Sequence, residues 1–340
     1  MADGATALLA LRTLVARLVR GASAGRAGAE VSGTGGPGVE VSATGGPGAE
    51  VSATLAAAVR RHMLGPLAHR AGWPGFRGDH AASAILADRR TAVLGEALQA
   101  LGRAGIPIML LKGVAYAGTL YPDPATRPMS DIDLLVPAER YGPAIAALGR
   151  LGYWHAGTPD QLSAPNHGYT LKRKDGSIDV HRHITHAGRT SIDLAAVWRD
   201  ARPAHVQGAV RASAPHEYII HVAHMARHEL AVPAINVVDA ALLRAAAERG
   251  STRDLAALAD RWRIGRGHRA VVRLLDDLFF DRVPSVRGIG PSIDEILAGR
   301  RPGRLLQVAR KVALTDDLRG VGALVSATIR GRLEHLRSRG

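Results

Sequence analysis

LLKGVAYAGTLYPDPATRPMSDIDLLV, residues 110–136, carries the reading on which the fold depends. Its start completes the run Ile106 to Leu111 (IPIMLL), short and apolar in the manner of a buried strand. The chain then passes through Lys112-Gly113 into Gly113 to Leu120, which suits a short helix, and YPDPATRP is a loop by its prolines. Asp131 to Val136 (DIDLLV) reads as a second strand. Residues two apart in a strand share a face, so Asp131 and Asp133 project together while Ile132 and Leu134 turn to the core. Two adjacent carboxylates repel unless a cation lies between them. Mg²⁺ suits that place, with Mn²⁺ as the alternative ion, because it takes hard oxygen ligands and keeps positions for phosphate oxygens.

Downstream, Ala138 to Leu151 is helical and ends at Gly152. Tyr169 to Lys174 and Ser177 to His183 read as a hairpin around the pair Asp175-Gly176, a dipeptide that suits a two-residue turn. In its second strand Asp179 and His181 share one face, with Ile178 and Val180 on the other. Asp179 can complete a metal site with Asp131 and Asp133, or accept a proton from an attacking hydroxyl. Two ions roughly 3.5–4 Å apart would stabilise both the entering and the leaving oxygen. Lys112 and Gly113, at a strand-to-helix turn, offer charge and close approach to phosphate, and Arg127 supplies a second cation. His181 and His183 lie on the face of Asp179 and can contact phosphate or support the metal shell, with a purely structural His183 as the plain alternative.

Around this centre the pattern is helical. The expected layout is an N-terminal helix (1–22), a linker (23–53), a helical part (54–105), the sheet-bearing core (106–200) and a helical domain (201–340). That is an α+β chain: a small mixed β-sheet with helices before it and mostly after it. VSGTGGPGVE (31–40) and VSATGGPGAE (41–50) repeat a unit that holds neither helix nor strand, hence the linker. Thr54 to Arg70 and Ala81 to Ala104 carry apolar residues at helical spacing, as does most of the chain beyond Pro215.

Hydrophobic residues make up 46% and charged residues 22%, the balance of a globular protein, and with aromatics at 4% the core is aliphatic. The net charge of +14 is uneven: residues 299–340 hold ten Lys/Arg against three Asp/Glu, half of the excess. Such a surface attracts phosphate-bearing partners, although an Arg-rich solvated helix face gives the same count. Basic residues are not interleaved with aromatics, which disfavours base-stacking recognition of nucleic acid. Absence of cysteine excludes disulfides, thiolate catalysis and zinc-thiolate sites and fits a cytoplasmic protein. No apolar run spans a bilayer, and Ala5 to Val19, broken by Arg12 and Arg17, reads as an amphipathic helix without a signal-type cleavage region.

Other residues admit plainer readings. His221, His224 and His228 fall on one helix face near His216, but no H-E-x-x-H pattern accompanies them, so hydrogen-bonded or cleft-lining histidines are favoured over a zinc site. Asp239, on an apolar helix, should be paired with a basic group. Trp198 and Trp262 read as packing residues.

Residues 110–136, with the following helix and Leu151-Gly152-Tyr153, resemble the uncharacterised nucleotidyltransferase family of the DNA-polymerase-β-like superfamily. SIDVHRHI (177–184) is similar to its third-carboxylate strand, and HEYIIHVAHMARHE and NVVDAALL to its helical half. The resemblance covers roughly 82–283. It implies Asp131 and Asp133 as metal ligands, Asp179 as third carboxylate and Gly113 as the phosphate turn, with a nucleoside triphosphate as substrate. The acceptor it leaves open among small molecule, peptide, protein and RNA. One departure is that Lys112-Gly113 stands where the wider superfamily has Gly-Ser or Gly-Gly. The rival readings are a catalytically inactive binding protein of this fold in a peptide-modification pathway and an RNA-directed nucleotidyltransferase.

Overall fold

Residues 2–24, 51–155, 167–185, 188–250, 252–279, 291–299, 303–317 and 320–322 are described by the computed structural model. The repeat at 31–50 and residues 323–340 of the basic tail lie outside the described residues.

Of the apolar run ending at Leu111, the last three residues form strand β1 (Met109–Leu111), all buried. β1 pairs antiparallel with β2 (Ile132–Leu135), setting Leu110 opposite Leu134 and Leu111 opposite Asp133. β2 pairs in parallel with β4 (Gly176–His181), which puts Asp133 beside Asp179 and Leu135 beside His181. β3 (Gly168–Arg173) is the antiparallel hairpin partner of β4. On the other flank β6 (Val210–Arg211) runs parallel to β1 and pairs with β5 (Arg202–Pro203). Among the described residues this gives a six-stranded mixed sheet in the order β3-β4-β2-β1-β6-β5. Pro203 is tolerated because an edge strand has no second neighbour that needs its missing N–H.

Helix α1 (Ala2–Ala24) packs against α2 (Ala53–Arg61) and against three later helices, α9 (Ala234–Gly250), α11 (Gly265–Phe279) and α12 (Ile293–Leu297). Helix α4 (Arg77–Arg103) buries Val93, Leu94, Ala97, Leu98 and Leu101, a stripe of helical period, and packs against α6 (Tyr141–Gly149), which covers β4. After the short α7 (Leu194–Arg199), helix α8 (Ala214–Arg227) is buried along most of its length against α9, α11 and α10 (Leu255–Arg261). One continuous apolar core runs from Leu11 and Leu14 of α1 through the sheet to Leu314. None of the described helices is long and apolar enough to cross a membrane.

The α+β architecture matches the sequence reading, with local differences. The expected helix over 54–70 is broken: α2 stops at Arg61 and α3 (Gly65–Arg70) begins afresh, with Met63 between them at φ 59°. The break is a helix C-cap around Met63: its amide donates to the Arg60 carbonyl and the Leu64 amide to the Val59 carbonyl (both 3.0 Å), and Pro66 has no N–H with which to carry the ladder on to His62. The buried His62 ring donates from Nε2 to the Leu297 carbonyl (2.9 Å) and accepts at Nδ1 from the Ala234 amide (3.1 Å). In the hairpin the turn residues are Lys174 and Asp175 rather than Asp175-Gly176, because Arg173 pairs with Gly176 and its guanidinium grips the Asp175 carboxylate at 2.6 and 2.7 Å. The sheet also continues past residue 200, through β5 and β6, strands too short to leave a periodic signal.

Candidate active site

Where β1 ends, the chain turns into α5 (Lys112–Tyr116) through Lys112, whose φ of 52° lies in the left-handed region. That conformation costs a non-glycine residue about 1–2 kcal/mol, and such strain concentrates at functional sites. The turn brings the Lys112 ammonium onto β2, with Nζ donating to Asp133 Oδ1 at 2.5 Å. A side chain at Gly113 would meet Met129 Cβ at 3.2 Å, so the Asp131 loop packs closely on this turn and a larger residue would press it outward by a few tenths of an ångström. Helix α5 is shorter than the expected 113–120 because Ala117 bridges to Tyr121.

Asp133 is 3% exposed. Burial alone would raise its pKa, but the hydrogen bond from His181 Nε2 (2.8 Å) and the Lys112 charge more than offset this and hold the carboxyl well below the usual carboxylate range. Asp179 stands beside it on β4, and its Oδ1 is buried with no hydrogen-bond partner among the described residues. His181, 6% exposed, owes its position to Gly168, where a Cβ would lie 2.5 Å from its Nδ1. Asp133, Asp179 and His181 offer ligand atoms that all lie within 4.8 Å of one another. Asp131 precedes β2 and stands outside that set, accepting a hydrogen bond from Ser130 Oγ at 3.0 Å. Its pKa is raised, first by burial and then by the charges of Asp133 and Asp179.

Residues 49–280 match the model of a family described as uncharacterised nucleotidyltransferase, and this span holds all the side chains just described. The chain belongs to the uncharacterised nucleotidyltransferase family. It is also similar to a solution structure of the antibiotic-resistance factor ANT(2'')-Ia, reported to show substrate-regulated conformation dynamics. That likeness has 16% identity and a TM-score of 0.35, and covers 57% of this chain and 98% of that one. No curated protein matches the chain.

In this nucleotidyltransferase-family chain, Lys112, Gly113, Arg127, Asp131 and Asp133 line one cleft of about 220 Å³, walled opposite by His221, His224 and Asn236. Arg127 borders the cleft with its charge already engaged. Its Nε donates to both oxygens of Asp239 (2.9 and 3.0 Å) and its Nη2 to Oδ2 (2.6 Å), while the Tyr121 hydroxyl donates to Oδ1. Asp239 thus has the basic partner expected of it, and Arg127 ties the Pro-rich loop to α9.

The histidine face divides. His221 accepts from the Tyr116 hydroxyl and donates to the Asn236 carbonyl (2.9 Å), a packed wall residue. His224 faces the cleft, edge-on to His228, and burial followed by the Lys112 charge lowers its pKa well below the ordinary value. His216 is packed on Trp262 and accepts from Arg253 Nη1 (2.9 Å), while His183 accepts from the Thr185 amide at 3.4 Å. Sequence reasoning passed over Arg227, at the end of α8, whose Nη1 donates to His167 Nε2 at 2.6 Å and whose charge feels Asp179 and Asp133. It also passed over Gly168, which carries no local motif.

Proposed function

We propose that the protein transfers a nucleoside monophosphate from a nucleoside triphosphate to an acceptor hydroxyl or amine, releasing pyrophosphate. The observation that carries this reading is the register of β2 and β4, which sets Asp133 beside Asp179, with Lys112 and Asp131 in the adjoining cleft. The carboxylates suit a cation: Asp179 Oδ1 is buried without a donor among the described residues, and Asp131, raised first by burial, also feels the charges of Asp133 and Asp179.

In this reading Asp133 and Asp179 hold a divalent ion, Mg²⁺ or Mn²⁺, and Asp131 contributes from the cleft side. Such an ion supplies positive charge against the phosphate oxygens. Lys112 and the Gly113 turn receive the triphosphate, and Arg227, whose charge feels Asp179 and Asp133, is a second cation beside them, since Arg127 is engaged by Asp239. Asp179 takes the proton of the acceptor as its oxygen or nitrogen bonds to the α-phosphorus. The bond from that phosphorus to the α–β bridging oxygen breaks, and pyrophosphate leaves with the electron pair. The wall of His221, His224 and Asn236 faces the acceptor.

The test is pyrophosphate release from each of the four nucleoside triphosphates across an acceptor panel, with wild type beside Asp133→Asn and Asp179→Asn. Loss in both variants with melting curves retained supports the assignment. Turnover equal to wild type in either would overturn it.

A further inference from the structure

We propose that His181 is itself a metal ligand, and that this mixed carboxylate–imidazole site selects a first-row transition dication over magnesium. The inference rests on the metal half of the proposed function and goes further by naming a nitrogen donor and the ion class that follows from it.

Four observations converge on it. His181 Nε2 lies 2.8 Å from Asp133 Oδ1. Two adjacent donors around an octahedral ion with bonds of about 2.1 Å stand about 3 Å apart, so an ion that replaced the proton of this hydrogen bond would find the pair at ligand spacing. Asp179 completes a set whose donor atoms fall within 4.8 Å of one another. A buried carboxylate oxygen lacking a donor, as Asp179 Oδ1 does among the described residues, is costly unless a cation meets it. The imidazole is also built in. It is 6% exposed, and the absence of a side chain at Gly168 leaves its room, since a Cβ there would sit 2.5 Å from Nδ1.

The donor chemistry then sets the ion. Magnesium is held by oxygen and keeps several waters, whereas imidazole nitrogen favours the later first-row dications. One nitrogen beside two carboxylates retains the charge that phosphate chemistry needs and shifts preference toward Mn²⁺, Co²⁺ or Zn²⁺. Ligation through Nε2 moves the ring proton to Nδ1, the buried nitrogen that faces Gly168 and has no hydrogen-bond partner among the described residues.

Mn²⁺ is the probe, added to the full chain without nucleotide. Bound Mn²⁺ should show coupling to a ¹⁴N nucleus in electron spin-echo spectra, and competition should show Mg²⁺ weaker by about tenfold or more. His181→Asn, which keeps an oxygen donor, should lose both the nitrogen coupling and the preference while still binding ion. The wild-type spectrum carries the test by itself if that variant folds poorly. Bound Mn²⁺ without nitrogen coupling in wild type, or equal affinity for the two ions, would overturn the role of His181 and leave the carboxylate site standing. No Mn²⁺ binding at all would overturn both.

Discussion

Replacing Asp239 by Asn keeps the shape of the group that holds Arg127 and removes its charge. Asp239 is fully buried and Arg127 is 7% exposed, with three guanidinium contacts between 2.6 and 3.0 Å and the Tyr121 hydroxyl at 2.6 Å. With the carboxylate gone, the guanidinium stays in the interior uncompensated, and the new amide NH₂ faces donors instead of accepting from them. Breaking a buried pair from one side costs about 3–5 kcal/mol. That is a large fraction of the roughly 5–15 kcal/mol by which a domain is stable. The pair joins the loop before β2 to α9, so the loss should be felt globally. Urea unfolding followed by circular dichroism should show a lowered midpoint at unchanged slope. Arg127→Met combined with Asp239→Leu should recover most of the loss, because removing both charges removes the penalty of burying either. Asp239→Asn within about 1 kcal/mol of wild type would refute the reasoning. So would Arg127→Met that keeps its stability and loses nucleotide affinity, since Arg127 would then be a phosphate ligand rather than a strut.

Lys112→Gln frees Asp133 of the ammonium at 2.5 Å, so ion affinity without nucleotide should rise while nucleotide affinity falls by about tenfold, about 1.4 kcal/mol, both readable by calorimetry. Unchanged values for both would remove Lys112 from the site. Gly168→Ala sets a methyl 2.5 Å from His181 Nδ1 and should cost about 1–3 kcal/mol of stability together with ion affinity; a silent substitution would show the ring free to shift. Burial, followed by the Arg253 charge, lowers His216 from the ordinary 6.5 to about 4. The unfolded chain takes up this proton first on acidification, so the contribution is full above about pH 6.5 and is lost as pH falls toward about 4. Thermal melts across that window should therefore be flatter for His216→Asn, and parallel curves would count against the shift.

What could be read from the sequence was local. Alternation of Asp131 and Asp133 with apolar residues marked a strand before any partner was known, and the order of strand, Lys-Gly turn and second strand gave the α+β core. Asp179 is legible for the same reason, since Ile178 and Val180 repeat that alternation. What escaped depends on contacts between distant segments. The engagement of Arg127 follows from Asp239, 112 residues later, whereas the break at Met63 has a local cause in Pro66, which lacks the N–H that the ladder needs. Asp131 lies outside the Asp133, Asp179 and His181 set yet lines the same cleft as Asp133 and feels its charge, a relation that depends on how the strands pair rather than on spacing alone.

The central claim is that these carboxylates hold a metal-bound nucleoside triphosphate. Calorimetric titration of ATP, GTP, CTP and UTP, each with Mn²⁺ or Mg²⁺, into wild type and Asp131→Ala/Asp133→Ala tests it most directly. The account predicts binding of at least one triphosphate that needs the metal and disappears in the variant. Absence of triphosphate binding to wild type with either metal would contradict it.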